Sequence, residues 1–126
     1  MVMEFKIDTK DSFTTIIPVQ SVLNAKMADE LADQCRKIRQ SGSKNLIVDL
    51  QHCLDADKDG VNGMVHLHEE SYSVDQSLVF TGLNAKLIKE LKKDETDLLI
   101  NIAPSMVEAI DIISMEVLER DLLSEE

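Results

Sequence analysis

Hydrophobic and polar positions alternate at the start of the chain. Met3, Phe5 and Ile7 are separated by Glu4, Lys6 and Asp8, the period-two mark of a strand with one face buried. Residues 13–19 predict a second strand across a short polar turn, and Pro18, which has no N–H, ends it or leaves that position unpaired. The period then changes. Ala28, Leu31, Ala32, Cys35 and Ile38 recur at helical spacing, with Gly42 as the stop. Asn45 to Leu50 is a nearly continuous apolar run, as expected of a strand covered on both faces. Val61, Met64, Val65, His68 and Tyr72 lie on one helical stripe, and Ser77 to Phe80 reads as another short buried strand. Leu87, Ile88 and Leu91 mark a further helix, and Leu98 to Ile102 a last strand. A C-terminal helix after Pro104 has Met106, Ile110, Ile113 and Val117 on its inner face. Strand, strand, helix and then three strand–helix units predict an α/β domain. Its sheet is mixed, with parallel strands joined by right-handed crossovers and an antiparallel opening hairpin, and it carries about four helices.

Composition narrows what such a domain can do. The chain has 126 residues, one domain's worth, here taken as residues 1–126 with a C-terminal tail from about residue 119. Hydrophobic residues make up 44% and aromatics only 3%, so the core must be aliphatic. Thirteen basic residues against 24 acidic ones give a net charge of −11. That balance argues against a nucleic-acid partner, which needs clustered Lys and Arg, and against an anionic membrane surface. No apolar run is long enough to span a bilayer, and the N-terminus does not read as a secretory signal. Cys35 and Cys53 make no disulfide framework and are expected to be small, reduced, buried residues of a cytoplasmic protein.

Asp55-Ala56-Asp57-Lys58-Asp59-Gly60 matches the first half of a calcium-binding loop, where alternate carboxylates converge on a hard cation. The second half fails: His66 occupies the place of the bidentate Glu, and Asn62 that of the usual apolar residue. Two alternatives follow. Asp55, Asp57 and Asp59 form a cation site, or the loop caps a helix, with Asp57 or Asp59 accepting from backbone N–H groups near Gly60; the second is preferred. His66 and His68, two apart on a helix, do not face the same way, and His68 on the apolar stripe reads as a packing residue. No strained nucleophile elbow and no phosphate-cradling glycine loop is present, so neither an enzyme nor a cofactor is expected.

Several strings in order resemble the STAS domain of bacterial anti-sigma factor antagonists. Asn45-Leu46-Ile47-Val48-Asp49-Leu50 is similar to that family's central strand, and Leu23-Asn24-Ala25 to the segment before its first helix. Phe80-Thr81-Gly82-Leu83 resembles the exit of its fourth strand. Asn101-Ile102-Ala103-Pro104-Ser105 with Glu108-Ala109 resembles the opening of its last helix, and Met115 to Leu122 the end of small stand-alone members. The resemblance implies a non-catalytic module whose partner is a protein, either an anti-sigma factor with serine-kinase activity or another STAS protein.

The decisive loop departs from the family. Where these proteins carry Asp-Ser-Ser-Gly and a phosphorylated serine, this chain has Asp57-Lys58-Asp59-Gly60, with Lys58 at the phosphoacceptor position. No hydroxyl residue lies between Ser43 and Ser71. A phosphate there would add about −1.5 to −2 charge at a helix start, where N–H groups favour anions. Here the charge is fixed. The expected partner surface comprises Asp57, Lys58, Asp59, Gly60, Asn62 and Gly63, with Asn24 beside them and His66 and Glu69 further along the helix.

Overall fold

The computed structural model describes residues 4–124. An antiparallel hairpin opens it, β1 (Phe5–Thr9) against β2 (Thr14–Pro18), with Phe5 opposite Pro18. Phe5 is half-buried, but Ile7 is 45% exposed, so the outer strand is wetter than its alternation predicts. Met3 lies outside the described residues. Strands β4 (Asn45–Asp49) and β6 (Ser77–Thr81) continue the sheet in the order β1-β2-β4-β6, and β2, β4 and β6 are parallel. Both β4 and β6 are buried throughout, as their uninterrupted apolar runs require.

Alternation within these central strands sends successive side chains to opposite faces. Leu46, Val48, Leu78 and Phe80 join the main core with α1 (Ala25–Gln40), α2 (Lys58–Ser73) and α3 (Ala85–Lys93). Ile47 and Val79 meet Ala109 and Ile113 of α4 (Met106–Ser124) on the other side. Helices therefore cover both faces, with α4 opposite α1 and α2. On α2 the buried stripe runs through Val61, Met64, Leu67 and Ser71, while Val65, His68 and Tyr72 are half-buried at its margin. None of the helices is long and apolar enough to cross a membrane, among the described residues.

Two expectations are corrected. The strand expected at Leu98–Ile102 is a 3₁₀ turn at Thr96–Leu98 followed by a single parallel bridge, Phe80 to Ile102. Leu98 is 74% exposed, so its run of leucines is not a buried strand. Side chains take the place of the missing ladder. Asn101 Nδ2 donates to Leu78 O at 3.4 Å, and the Leu78 N–H donates to Tyr72 Oη at 3.4 Å. The edge of β6 is thus capped by side chains at Leu78 and paired only at Phe80, where the Phe80 N–H donates to Asn101 O and the Ala103 N–H to Phe80 O, both at 2.9 Å. The tail expected from about residue 119 continues α4 instead, as far as Ser124. Arg120 secures this last part by donating to Asp75 O and Ser77 Oγ; Glu125 and Glu126 lie outside the described residues.

Candidate functional site

A two-stranded parallel ribbon, missed in the sequence because each strand is only two residues long, builds the site. Strand β3 (Val22–Leu23) pairs with β5 (Asp55–Ala56), so the chain entering α1 lies beside the chain entering α2. The Asp57 N–H then donates to Leu23 O at 3.0 Å. Each helix starts from its own side-chain cap. Asn24 Oδ1 accepts from the Met27 N–H at 2.9 Å, and Asp57 Oδ1 from the Gly60 N–H at 2.8 Å. Of the two aspartates considered as caps, Asp57 is the one used.

Gly60 is buried against the neighbouring backbone. A Cβ placed there would stand 2.0 Å from Leu23 O and 2.5 Å from Leu23 C, so the first turn of α2 rests directly on the end of β3. Gly63 does the same one turn later, where a Cβ would stand 2.3 Å from Ala28 Cβ on α1. Both glycines expected at the surface site therefore face inward and set the spacing of α1 and α2.

The other expected residues are placed outward. Lys58, Asp59, Asn62, His66 and Glu69 are exposed, and Asn24 is half-buried at the seam. Lys58, Asn62, His66 and Glu69 follow one another at intervals of four, four and three residues, so they form one stripe down the solvent side of α2. Lys58 enters no ion pair among the described residues. Asp59 adds negative charge to the first turn, beside N–H groups that already favour an anion.

Asp55 is not part of this cluster. Its carboxylate accepts from Lys86 Nζ at 3.1 Å and from the Ala56 N–H at 2.8 Å. The Lys86 hydrogen bond first, then the backbone one, hold its carboxyl below the usual range. With Asp55 tied to α3 and Asp57 turned to its own helix, the alternate carboxylates do not converge. Among the described residues no group of three or more His, Cys, Asp or Glu is arranged to hold a metal ion.

Beside the stripe, Arg36 of α1 grips Glu70 of α2 with Nε at 2.8 Å and Nη2 at 3.2 Å. This two-pronged bond lowers the Glu70 carboxyl below its ordinary value. The pair was invisible in sequence because its members lie on different helices. His68 packs against Tyr72 with ring centroids 4.5 Å apart, and burial keeps it more neutral than a free histidine. Both thiols are buried; desolvation pushes Cys35 up to about 12 and Cys53 up to about 11, which removes the thiolate a nucleophile needs.

Helix start, ribbon and α1–α2 seam together place the exposed Lys58, Asp59, Asn62, His66 and Glu69 on one surface, with Asn24 half-buried beside them. The architecture is that of the STAS-like anti-sigma factor antagonists. An anti-sigma factor antagonist of Mycobacterium paratuberculosis superposes with a TM-score of 0.70 at 9% identity, covering 90% of this chain and 95% of that one. The antagonist SpoIIAA in its unphosphorylated form gives 0.67 at 15% identity over 88% and 96% of the two chains. A Thermotoga maritima protein gives 0.75 at 16% identity over 88% and 89%. At such identities the likeness establishes the fold. No family model matches the chain, and no curated protein matches it at a significant level.

Proposed function

We propose that the chain is a non-catalytic protein–protein interaction module of anti-sigma factor antagonist type, acting in the cytoplasm, whose binding surface is not switched by phosphorylation. The observation that carries this reading is the start of α2. Asp57 and Gly60 hold the loop in place by a side-chain cap and a backbone approach, whereas Lys58 and Asp59 between them are exposed. A solved relative of this fold, the Bacillus protein SpoIIAA, exists in a phosphorylated form. This chain has no hydroxyl residue from Lys44 to Glu70 that could be phosphorylated. Lys58, Asp59, Asn62, His66 and Glu69 present the partner with a permanent mixture of charges and hydrogen-bonding groups, and Asn24 flanks them. The partner is an anti-sigma factor of the serine-kinase type or another STAS protein.

Capture from a lysate of the source organism, with identification by mass spectrometry, tests this. The expected catch is a histidine-kinase-like anti-sigma factor or a second STAS protein, retained by wild type and lost by a Lys58→Glu, His66→Ala double variant. Equal capture by both forms would place the interface elsewhere. A phosphorylated serine or threonine on the captured chain that controls retention would overturn the fixed-state reading.

A further inference from the structure

Helix α4 has two apolar faces. Its inner face, with Ala109 and Ile113, packs on Ile47 and Val79. Its outer face carries Val107, Met115, Leu118 and Leu122, which are 69%, 63%, 59% and 57% exposed. With Asp111 they recur at spacings of four, four, three and four residues, so they make one continuous stripe diametrically opposite the buried one. Together they expose an apolar patch on the order of 400 Å², the size at which a surface patch on a monomer is often functional.

Charge says what covers it. Helix α4 contains Glu108, Asp111, Glu116, Glu119 and Asp121 against the single basic residue Arg120. Arg120 is turned inward to Asp75 and Ser77, and Glu116 is likewise engaged with Tyr72. Glu108 and Glu119 therefore rim one side of the stripe, Asp121 the other, and Asp111 sits within it. A second copy of this helix would bring carboxylates against carboxylates. A helix with its own leucine-like stripe and lysine or arginine flanks would meet both the apolar and the charged pattern.

We propose that the outer face of α4 docks a basic amphipathic helix of a partner protein. This surface is separate from the α2 loop, since α4 and α2 cover opposite faces of the sheet. Both can be occupied at once, so the module joins two partners and does not depend on the loop's partner being an anti-sigma factor.

The probe is a pair of fluorescent 18-residue helical peptides with the same leucine stripe, one flanked by lysines and the other by glutamates, titrated by anisotropy against the full chain. The lysine peptide is expected to bind at least tenfold tighter than the glutamate peptide. A Leu118→Asp, Leu122→Asp variant is expected to lose tenfold or more for the lysine peptide, while Lys58→Glu leaves it unchanged. The aspartates add negative charge, so attraction by net charge alone would make that variant bind more tightly. Unchanged or tighter binding by that variant, or equal binding of the two peptides, overturns the proposal. So does sedimentation showing a wild-type dimer that the double variant abolishes, because the stripe would then be covered by a second copy.

Discussion

Replacing Gly60 by alanine tests the contact on which the site is built. In an ordinary helix the exchange would stabilise by about 0.5–1 kcal/mol, because glycine loses more backbone freedom on folding. Here the added Cβ would stand 2.0 Å from Leu23 O. Side-chain carbons essentially never approach closer than 3.0 Å, so α2 and β3 must separate by about 1 Å. Both atoms met first are backbone, which leaves no flexible side chain to move aside. The separation also stretches the 3.0 Å hydrogen bond from the Asp57 N–H to Leu23 O. Overpacking costs about 1–3 kcal/mol and the lost hydrogen bond about 1 kcal/mol. After the helix gain is subtracted, the net destabilisation is about 1–3.5 kcal/mol. Urea unfolding followed by circular dichroism reads this as a midpoint lowered by about 0.5–2 M. Asn62→Ala, two positions later on the exposed face, serves as the control and is expected to stay within about 0.5 kcal/mol of wild type. A Gly60→Ala protein as stable as wild type, or more so, would refute the close approach and with it the account of how the loop is held.

Three further outcomes are expected. Gly63→Ala destabilises through its clash with Ala28 Cβ, and adding Ala28→Gly recovers part of the loss; strict additivity in the double variant would show that the two positions do not touch. Tyr72→Phe removes a hydroxyl that donates to Glu116 at 2.6 Å and accepts from Asn101 at 2.5 Å, costing about 1–3 kcal/mol in urea unfolding and speeding hydrogen exchange at the Leu78 amide. Burial raises Cys35 from 9.0 to about 12, so above pH 9 the unfolded chain loses this proton first and binds fewer protons than the native one. Stability then falls from pH 9 towards pH 12, by up to about 1.4 kcal/mol per pH unit for this group, and Cys35→Ala is expected to show the shallower alkaline decline.

Periodicity was enough to locate most of the fold. The first strand and the four helices show a clear repeat, and the two central strands show short uninterrupted apolar runs instead. Failures came where structure is made by single contacts. Strands β3 and β5 are two residues each, too short to show a period, yet they bring Asn24 beside Gly60. The leucines at 98 and 99 look like a strand but are left outside by the 3₁₀ turn, and the segment meets β6 only at the Phe80–Ile102 bridge. In the site, a helix cap by Asp57 or Asp59 near Gly60 was legible in the sequence, and the structure assigns it to Asp57. The inward duty of Gly60 and Gly63 was not, since it depends on backbone and side-chain atoms more than thirty residues away.

The start of α2 divides its work between two kinds of position. Asp57 and Gly60 hold the backbone, while the exposed side chains of Lys58 and Asp59 hold nothing else in place among the described residues. Substitutions at the inner pair are therefore costly to folding, and substitutions at the outer pair are almost free. A lineage with this scaffold can exchange hydroxyl for fixed charge, or the reverse, in one or two mutational steps without crossing an unstable intermediate. The chemistry displayed at the start of α2 can therefore change while the fold beneath it remains the same.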